Sequence, residues 1–284
     1  MLNQLLAPLP RKTTQTIAWF ILFAAALKWL PNPFHPPAAP VAKTAITPAL
    51  PPKPTQIEPT PNLTVPPGSL DTFFASLRQH QTTRILHYGD SPTTADSITA
   101  DVRRLFQAQF GDAGHGFLLI AKPWAWYGHN GVRLEGRGWK IEPASQSRAP
   151  DGIHGLGGVS FRGEAGATSE VTLPDDQTNA VTVYYLKQPG GGTFELQAGQ
   201  TALPAVTTAG EGEDKEQAFA EFQLPPGTQT LRLRVTEGNV RLFGYRFDKD
   251  QPGVQYSSLG INGAQVQMIV RHFEVKQWTA ALQH

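Results

Sequence analysis

The apolar positions fall into three textures along the chain. In "SLDTFFASLRQHQ" (69–81), Leu70, Phe73, Phe74 and Leu77 recur at helical spacing. "RILHY" (84–88) is a short apolar run ending at Gly89 and predicts a buried strand. "DSITADVRRLFQAQFG" then sets Ile98, Val102, Leu105, Phe106 and Phe110 on one helical face, stopped by Gly111. Strand, tight turn and helix in that order predict the opening of an α/β sheet. From Gly131 to Lys249 the pattern changes to short, often alternating runs such as "TSEVTLP", "AVTVYYLKQ", "GTFELQAG" and "TLRLRV". Clusters such as "PDDQTN", "QPGGG" and "TEGN" separate them, which predicts a β-sandwich. "GVQYSSLGINGAQ" reads as a further strand and glycine turn. "VQMIVRHFEVKQWTAALQH" reads as a helix with Val266, Val270, Phe273 and Leu282 in phase.

The expected organisation is therefore an α/β domain begun at 69–130, interrupted by an inserted β domain at 131–252, and resumed at 253–284. Ahead of it, Arg11 and Lys12 precede an apolar stretch from Ile17 to Leu30 broken only by Lys28. Residues 1–30 are expected to be a cytoplasmic tip and a single transmembrane anchor, with the rest of the chain outside. "AAA" at 24–26 leaves the alternative of a cleaved signal peptide. Residues 31–68 hold roughly half of the chain's 25 prolines. They are expected to be a disordered linker whose extended reach is on the order of 100 Å.

Composition narrows the chemistry. The 284 residues carry a formal net charge of +1 with both signs interspersed, so there is no basic stripe for nucleic acid. The absence of cysteine excludes disulfides, thiolate metal sites and a cysteine nucleophile. The histidines show no metal-binding spacing with Asp or Glu, so no metal is expected.

The candidate chemistry sits in "YGDSPTTAD" (88–96). A serine directly after a strand and before a helix holds its hydroxyl above the sheet end, beside helix N-terminal amides. The plainer alternative is that Ser91 only caps the helix. The longer run "HYGDSPTTADSITADVRRLFQAQFGDAGHGF", followed after the β-rich segment by "YSSLGINGAQ", resembles the GDSL/SGNH-type hydrolases. It is similar to the branch that includes periplasmic peptidoglycan O-acetylesterases, in which a carbohydrate-binding-like jelly roll interrupts the hydrolase fold. The resemblance covers residues 84–130 and 253–284 at the level of motifs, and the insert only in architecture. It implies a flavodoxin-like three-layer α/β fold, here incomplete, with an inserted all-β jelly-roll sandwich. It also implies a bacterial inner-membrane protein with its bulk in the periplasm, or a protein secreted to the periplasm if the signal is cleaved.

Residue by residue, the resemblance implies Ser91 as nucleophile, with the Ser91 and Gly263 backbone amides donating to the oxyanion. Asp90 shapes the turn. Pro92 departs from the branch, where histidine follows the serine, but proline suits a first helical turn. Such enzymes take a third oxyanion donor from a later "GxN" asparagine and their base from a terminal "DxxH", and neither motif follows the second block here. The chain is thus expected to be inactive alone, unless a second polypeptide or a longer reading frame supplies them. Asp151 and His154 in "DGIH" have the spacing of the missing pair but lie inside the expected sandwich. His115 in "GHGF" is a further candidate to approach the cleft.

"KPWAWYGHN" (122–130) groups Trp124, Trp126 and Tyr127, either as a platform for stacking sugar rings or as packing between domains. The expected function is an exported serine esterase removing O-acetyl groups from cell-wall glycan, without a cofactor. The alternatives are a membrane-tethered, non-catalytic glycan-binding protein and an O-acetyltransferase component.

Overall fold

The computed structural model describes residues 64–146 and 149–284. Among these, no helix is long and apolar enough to cross a membrane. This corrects the expected single-pass inner-membrane placement. The stretch Ile17–Leu30 and most of the proline-rich linker lie outside the described residues.

The architecture is mostly β-sheet, with few helices. Helix α1 (Asp71–Arg78) leads into β1 (Thr83–Gly89), the one-turn helix α2 (Ser91–Thr94) and α3 (Ser97–Phe110). Strands β2 (Gly116–Leu119), β3 (Arg133–Pro143), β4 (Val159–Thr172), β5 (Ala180–Lys187) and β6 (Thr193–Ala198) follow. Next come the short β7 (Thr201–Ala202) and β8 (Val206–Thr207), then β9 (Glu216–Gln223), β10 (Thr230–Glu237) and β11 (Asn239–Asp248). Strand β12 (Val254–Gly260) and helices α4 (Val266–His272) and α5 (Val275–Gln283) complete the described chain.

Strands β1 and β12 form a two-stranded parallel sheet, in register from Thr83 opposite Val254 to Gly89 opposite Gly260. One face buries Val254 and Tyr256 with Leu77 of α1, against Val102, Phe106 and Phe110 of α3. Ile98 and Leu105, expected on the same helical face, are instead exposed. A two-stranded sheet is narrow, and only the side of α3 above it has apolar surface to meet.

The other ten strands form one curled sheet with the order β7-β6-β10-β4-β11-β5-β9, to which β2, β3 and β8 attach on β11, β4 and β6. The alternating strand β10 points Leu231, Leu233 and Val235 inward and Arg232 and Arg234 outward. In contrast β11 is buried along nearly its whole length, as its near-continuous run of large side chains requires. Strand β2 lies in the segment expected to belong to the α/β part, yet it pairs antiparallel with β11. The core of this sheet continues without a break into Leu259, Ile261, Met268, Phe273 and Ala281. One face of the parallel sheet therefore shares the core of the ten-stranded sheet, while the other has its own cluster against α1 and α3.

The single helix expected after the glycine turn is two. The chain is extended at Phe273 and Glu274, and the Glu274 carboxylate accepts from the Lys276 and Gln277 amides to start α5. Val266 and Val270 are consequently exposed, while Phe273 turns into the core.

Candidate active site

The parallel register decides where the serine stands. With Gly89 opposite Gly260, the chain leaves both strands at the same end of the sheet, and Ser91 and Gly263 follow two and three residues later. Ile261 N–H still donates to Gly89 C=O at 3.0 Å, which holds the two exits side by side. Ser91 is the first residue of α2, with Pro92 behind it where no intrahelical donor is needed. Asp90, not Ser91, occupies the capping position, and no side chain makes a cap bond there. The turn is tied down from below: Thr93 and Thr94 N–H donate to Asp90 C=O at 3.1 and 3.2 Å, and Ser258 Oγ donates to Thr93 C=O at 2.8 Å.

Asp90, Ser91 and Gly263 are exposed. Among the described residues neither the Ser91 nor the Gly263 N–H is taken up by a backbone acceptor. Gly263 has a left-handed φ of 74°, the conformation that its place in the "INGAQ" turn demands of a glycine. A cleft of about 360 Å³ lies between the two exits, lined by Gly89 and Asp90 on one side and by Ile261, Ala264 and Met268 on the other. The pieces present are an exposed hydroxyl, two unengaged amide donors and a partly apolar cleft.

No described histidine hydrogen-bonds Ser91. His154 is buried, its Nδ1 3.3 Å from Glu142 C=O and its Nε2 accepting from Ala149 N–H at 3.3 Å. Burial pushes its pKa down to about 4. Asp151 makes no hydrogen bond to it. The Asp151 carboxylate takes both terminal nitrogens of Arg241, at 2.7 and 3.0 Å, and Lys215 Nζ at 2.8 Å. Burial alone would raise the Asp151 carboxyl, but the bonds from Arg241 and Lys215 outweigh it and hold it well below the usual range. Both members of "DGIH" are thus committed to partners on the ten-stranded sheet, His154 to Glu142 and Asp151 to Arg241. Arg241 is fully buried and also donates to Ser160 Oγ at 2.6 Å and to Ile153 C=O.

His115 and His129 belong to a second buried cluster, behind α3. Asp96 is fully buried in a left-handed conformation. It accepts from Arg103 at 2.6 and 3.2 Å, from Thr99 Oγ at 2.5 Å and from Asn130 N–H at 2.7 Å. Burial would raise its carboxyl, but the bonds and charges around it lower it. Burial pushes His129 down to about 3 and lowers His115, although Asp175 lies 3.3 Å from His115. Sequence reasoning missed this cluster. Asp96, three residues before Thr99, has the look of an ordinary solvent-facing helix-start acid.

The aromatic run divides. Trp124 and Tyr127 are buried, Tyr127 Oη accepting from Leu119 N–H at 2.9 Å, whereas Trp126 is 52% exposed. Among the described residues no three His, Asp or Glu side chains converge as a metal site would require.

No protein-family model matches the chain, and no curated protein matches it. A solved family 6 carbohydrate-binding module from Clostridium stercorarium, in complex with cellobiose, shows a partial likeness. That likeness has 17% identity over 42% of this chain and 87% of that one, with a TM-score of 0.30, a level that supports no conclusion. The chain is similar to a solved peptidoglycan O-acetylesterase at a TM-score of 0.57 and 21% identity, over 73% of this chain and 55% of that one. It spans about half the length of that esterase chain and shares its fold over that part.

Proposed function

We propose that Ser91 is the nucleophile of a serine esterase site that acts on O-acetyl groups of cell-wall glycan. The observation that supports this most strongly is the pair of unengaged amides at Ser91 and Gly263, leaving the parallel sheet together. Ser91 Oγ would attack the acetyl carbonyl carbon, and the two N–H groups would meet the negative charge forming on its oxygen. The sugar hydroxyl would depart with a proton, and water would then release acetate from the acetyl-serine. The fold likeness to a peptidoglycan O-acetylesterase supports glycan as the substrate class. The proton of Ser91 needs an acceptor, and no described histidine reaches it. The reading therefore calls for a base from other polypeptide, in this chain or a second one.

A thiol does not need that base, because a useful fraction is ionised near neutral pH. The chain has no cysteine, so Ser91→Cys introduces its only thiol. With p-nitrophenyl acetate, we expect that thiol to be acetylated at least about tenfold faster than one at the exposed Ser69, because of the oxyanion donors. Equal rates from Ser91→Cys and Ser69→Cys overturn the reading.

A second reading, a non-catalytic glycan-binding sandwich, is favoured by a separate cavity of about 550 Å³ across β3, β4, β6 and β10. It is lined by Arg137, Glu170, Glu195, Arg232 and Arg234 among others. On that reading, binding of glycan is indifferent to Ser91.

A further inference from the structure

Two serines stand side by side on β12, and the strand sends them opposite ways. Ser257 Oγ faces the ten-stranded sheet and accepts from Phe117 N–H of β2 at 3.0 Å. Ser258 faces the helices, in the same row as Val254 and Tyr256, which pack with α1 and α3. It is buried there, and a hydroxyl in an otherwise apolar row is costly unless it is hydrogen-bonded. Ser258 Oγ donates to Thr93 C=O of α2 at 2.8 Å and lies 2.9 Å from Thr99 Oγ of α3. Thr99 Oγ is in turn 2.5 Å from the Asp96 carboxylate, so Ser258 is braced against the buried pair of Asp96 and Arg103.

The turn that Ser258 reaches cannot hold itself. Helix α2 is four residues long, and a single helical turn fixes several dihedrals for few bonds. Thr93 N–H, Thr94 N–H and Thr94 Oγ all bond to Asp90 C=O, inside the turn. From outside, Gly128 N–H donates to Thr94 C=O at 3.2 Å. Among the described residues, Ser258 is the only side chain beyond residues 90–95 that bonds to their backbone.

We infer that Ser258 is a positioning residue of the esterase site: it fixes the tilt of α2 and so aims the Ser91 N–H at the oxygen of the attacked carbonyl. The inference rests on the esterase reading. Gly263 follows Ser258 by five residues, so a single strand sets both donors. Its exit carries Gly263, and its hydroxyl holds the turn that carries Ser91. An oxyanion donor stabilises the transition state only if it already points at the developing charge. A small misplacement therefore lowers the rate without unfolding the site. Ser258 itself touches no reacting atom.

The Ser91→Cys thiol separates aiming from packing. In its acetylation by p-nitrophenyl acetate, sulfur bonds to the carbonyl carbon, p-nitrophenolate leaves, the thiol proton goes to water, and an oxyanion forms on the way. In its alkylation by iodoacetamide, sulfur displaces iodide and no oxyanion forms. In the full chain carrying Ser91→Cys, we expect Ser258→Ala to slow acetylation about tenfold and to change alkylation less than about twofold. Ser169→Ala is the matched control, a buried serine whose hydroxyl also donates to a carbonyl, that of Ile120 at 2.6 Å. It should lower the urea midpoint by a similar amount and leave both rates unchanged. Three results overturn the positioning role: acetylation unchanged in Ser258→Ala, acetylation and alkylation changed by one factor, or an equal fall in acetylation in Ser169→Ala. Loss of a cooperative urea transition in Ser258→Ala makes the residue structural and overturns it as well. Fast acetylation of Ser91→Cys that Ser258→Ala does not slow removes only the positioning role. If Ser91→Cys is acetylated no faster than Ser69→Cys, the esterase reading falls and this role falls with it.

Discussion

Gly89 and Gly260 face each other across the two parallel strands, and the turn that carries Ser91 rests on both of them. A side chain on Gly89 would run into Thr93, with its Cβ 2.8 Å away, and one on Gly260 would run into the Thr93–Thr94 backbone. The absence of two side chains is what lets the serine turn lie flat on the sheet end.

Gly260→Ala therefore forces the backbone of α2 to move, since no flexible side chain can give way. We expect a loss of about 2 kcal/mol, in the range of overpacked cores. Urea unfolding of the full chain measures it. In the Ser91→Cys background the same substitution should also slow acetylation, and an unchanged midpoint with unchanged acetylation would contradict the packing described.

Asp96→Asn tests the buried cluster behind α3. Asparagine tolerates the left-handed backbone at that position, so the change leaves the turn intact while it removes the charge and sets an NH2 against donors that one carboxylate oxygen now accepts. Arg103 is left buried without its counter-charge, and the expected cost is about 3 kcal/mol. A cost under about 0.5 kcal/mol, as for an ordinary surface site, would mean that the pair is solvated in solution.

The two most strongly depressed histidines, His154 and His129, set the acid limit. The unfolded chain takes up their protons near pH 6.5, but the folded chain holds His154 neutral to about 4 and His129 to about 3. Below pH 6.5 the unfolded state therefore binds more protons, and stability falls as pH is lowered through that window. For His154 the loss is roughly 3 kcal/mol by pH 4. The lowered carboxyls of Asp96 and Asp151 add their own loss only below their ordinary value of 3.8. Thermal melting from pH 7 to 4 should drop less steeply in His154→Gln than in the unaltered chain. Parallel curves would show that His154 titrates normally.

The tryptophans separate by burial. Trp124→Ala should cost about 3 kcal/mol or more as a large core deletion. Trp126→Ala, at an exposed position, should cost less than about 0.5 kcal/mol. If Trp126 stacks on a sugar, its fluorescence will shift on adding glycan polymer, and a flat titration would exclude that contact.

Much of the fold was legible in local pattern. The run "RILHYG" is apolar and closes on a glycine, and it is β1. The alternating runs between Gly131 and Lys249 are strands from Arg133 to Asp248, because period-two alternation records one buried and one wet face. The placement of Ser91 between a strand and a helix was legible too, since a tight turn after a strand constrains its own residues. The two valines of α4 misled for a physical reason. Helical periodicity reports an apolar stripe but not which element covers it, and the break at Phe273 and Glu274 turned the stripe outward.

What the sequence determined by itself was local: strand–turn–helix around Ser91, sandwich texture in the middle, and a second glycine turn at Gly263. What only the tertiary structure decided was partnership. Parallel pairing of β1 with β12 joins residues some 170 positions apart, the buried arginines claimed Asp151 and Asp96, and the loop after β3 brought Ser145 to Gly263. Spacing along a chain says nothing about such meetings, because they are fixed by which faces bury each other and by which charges must be paired once water is gone.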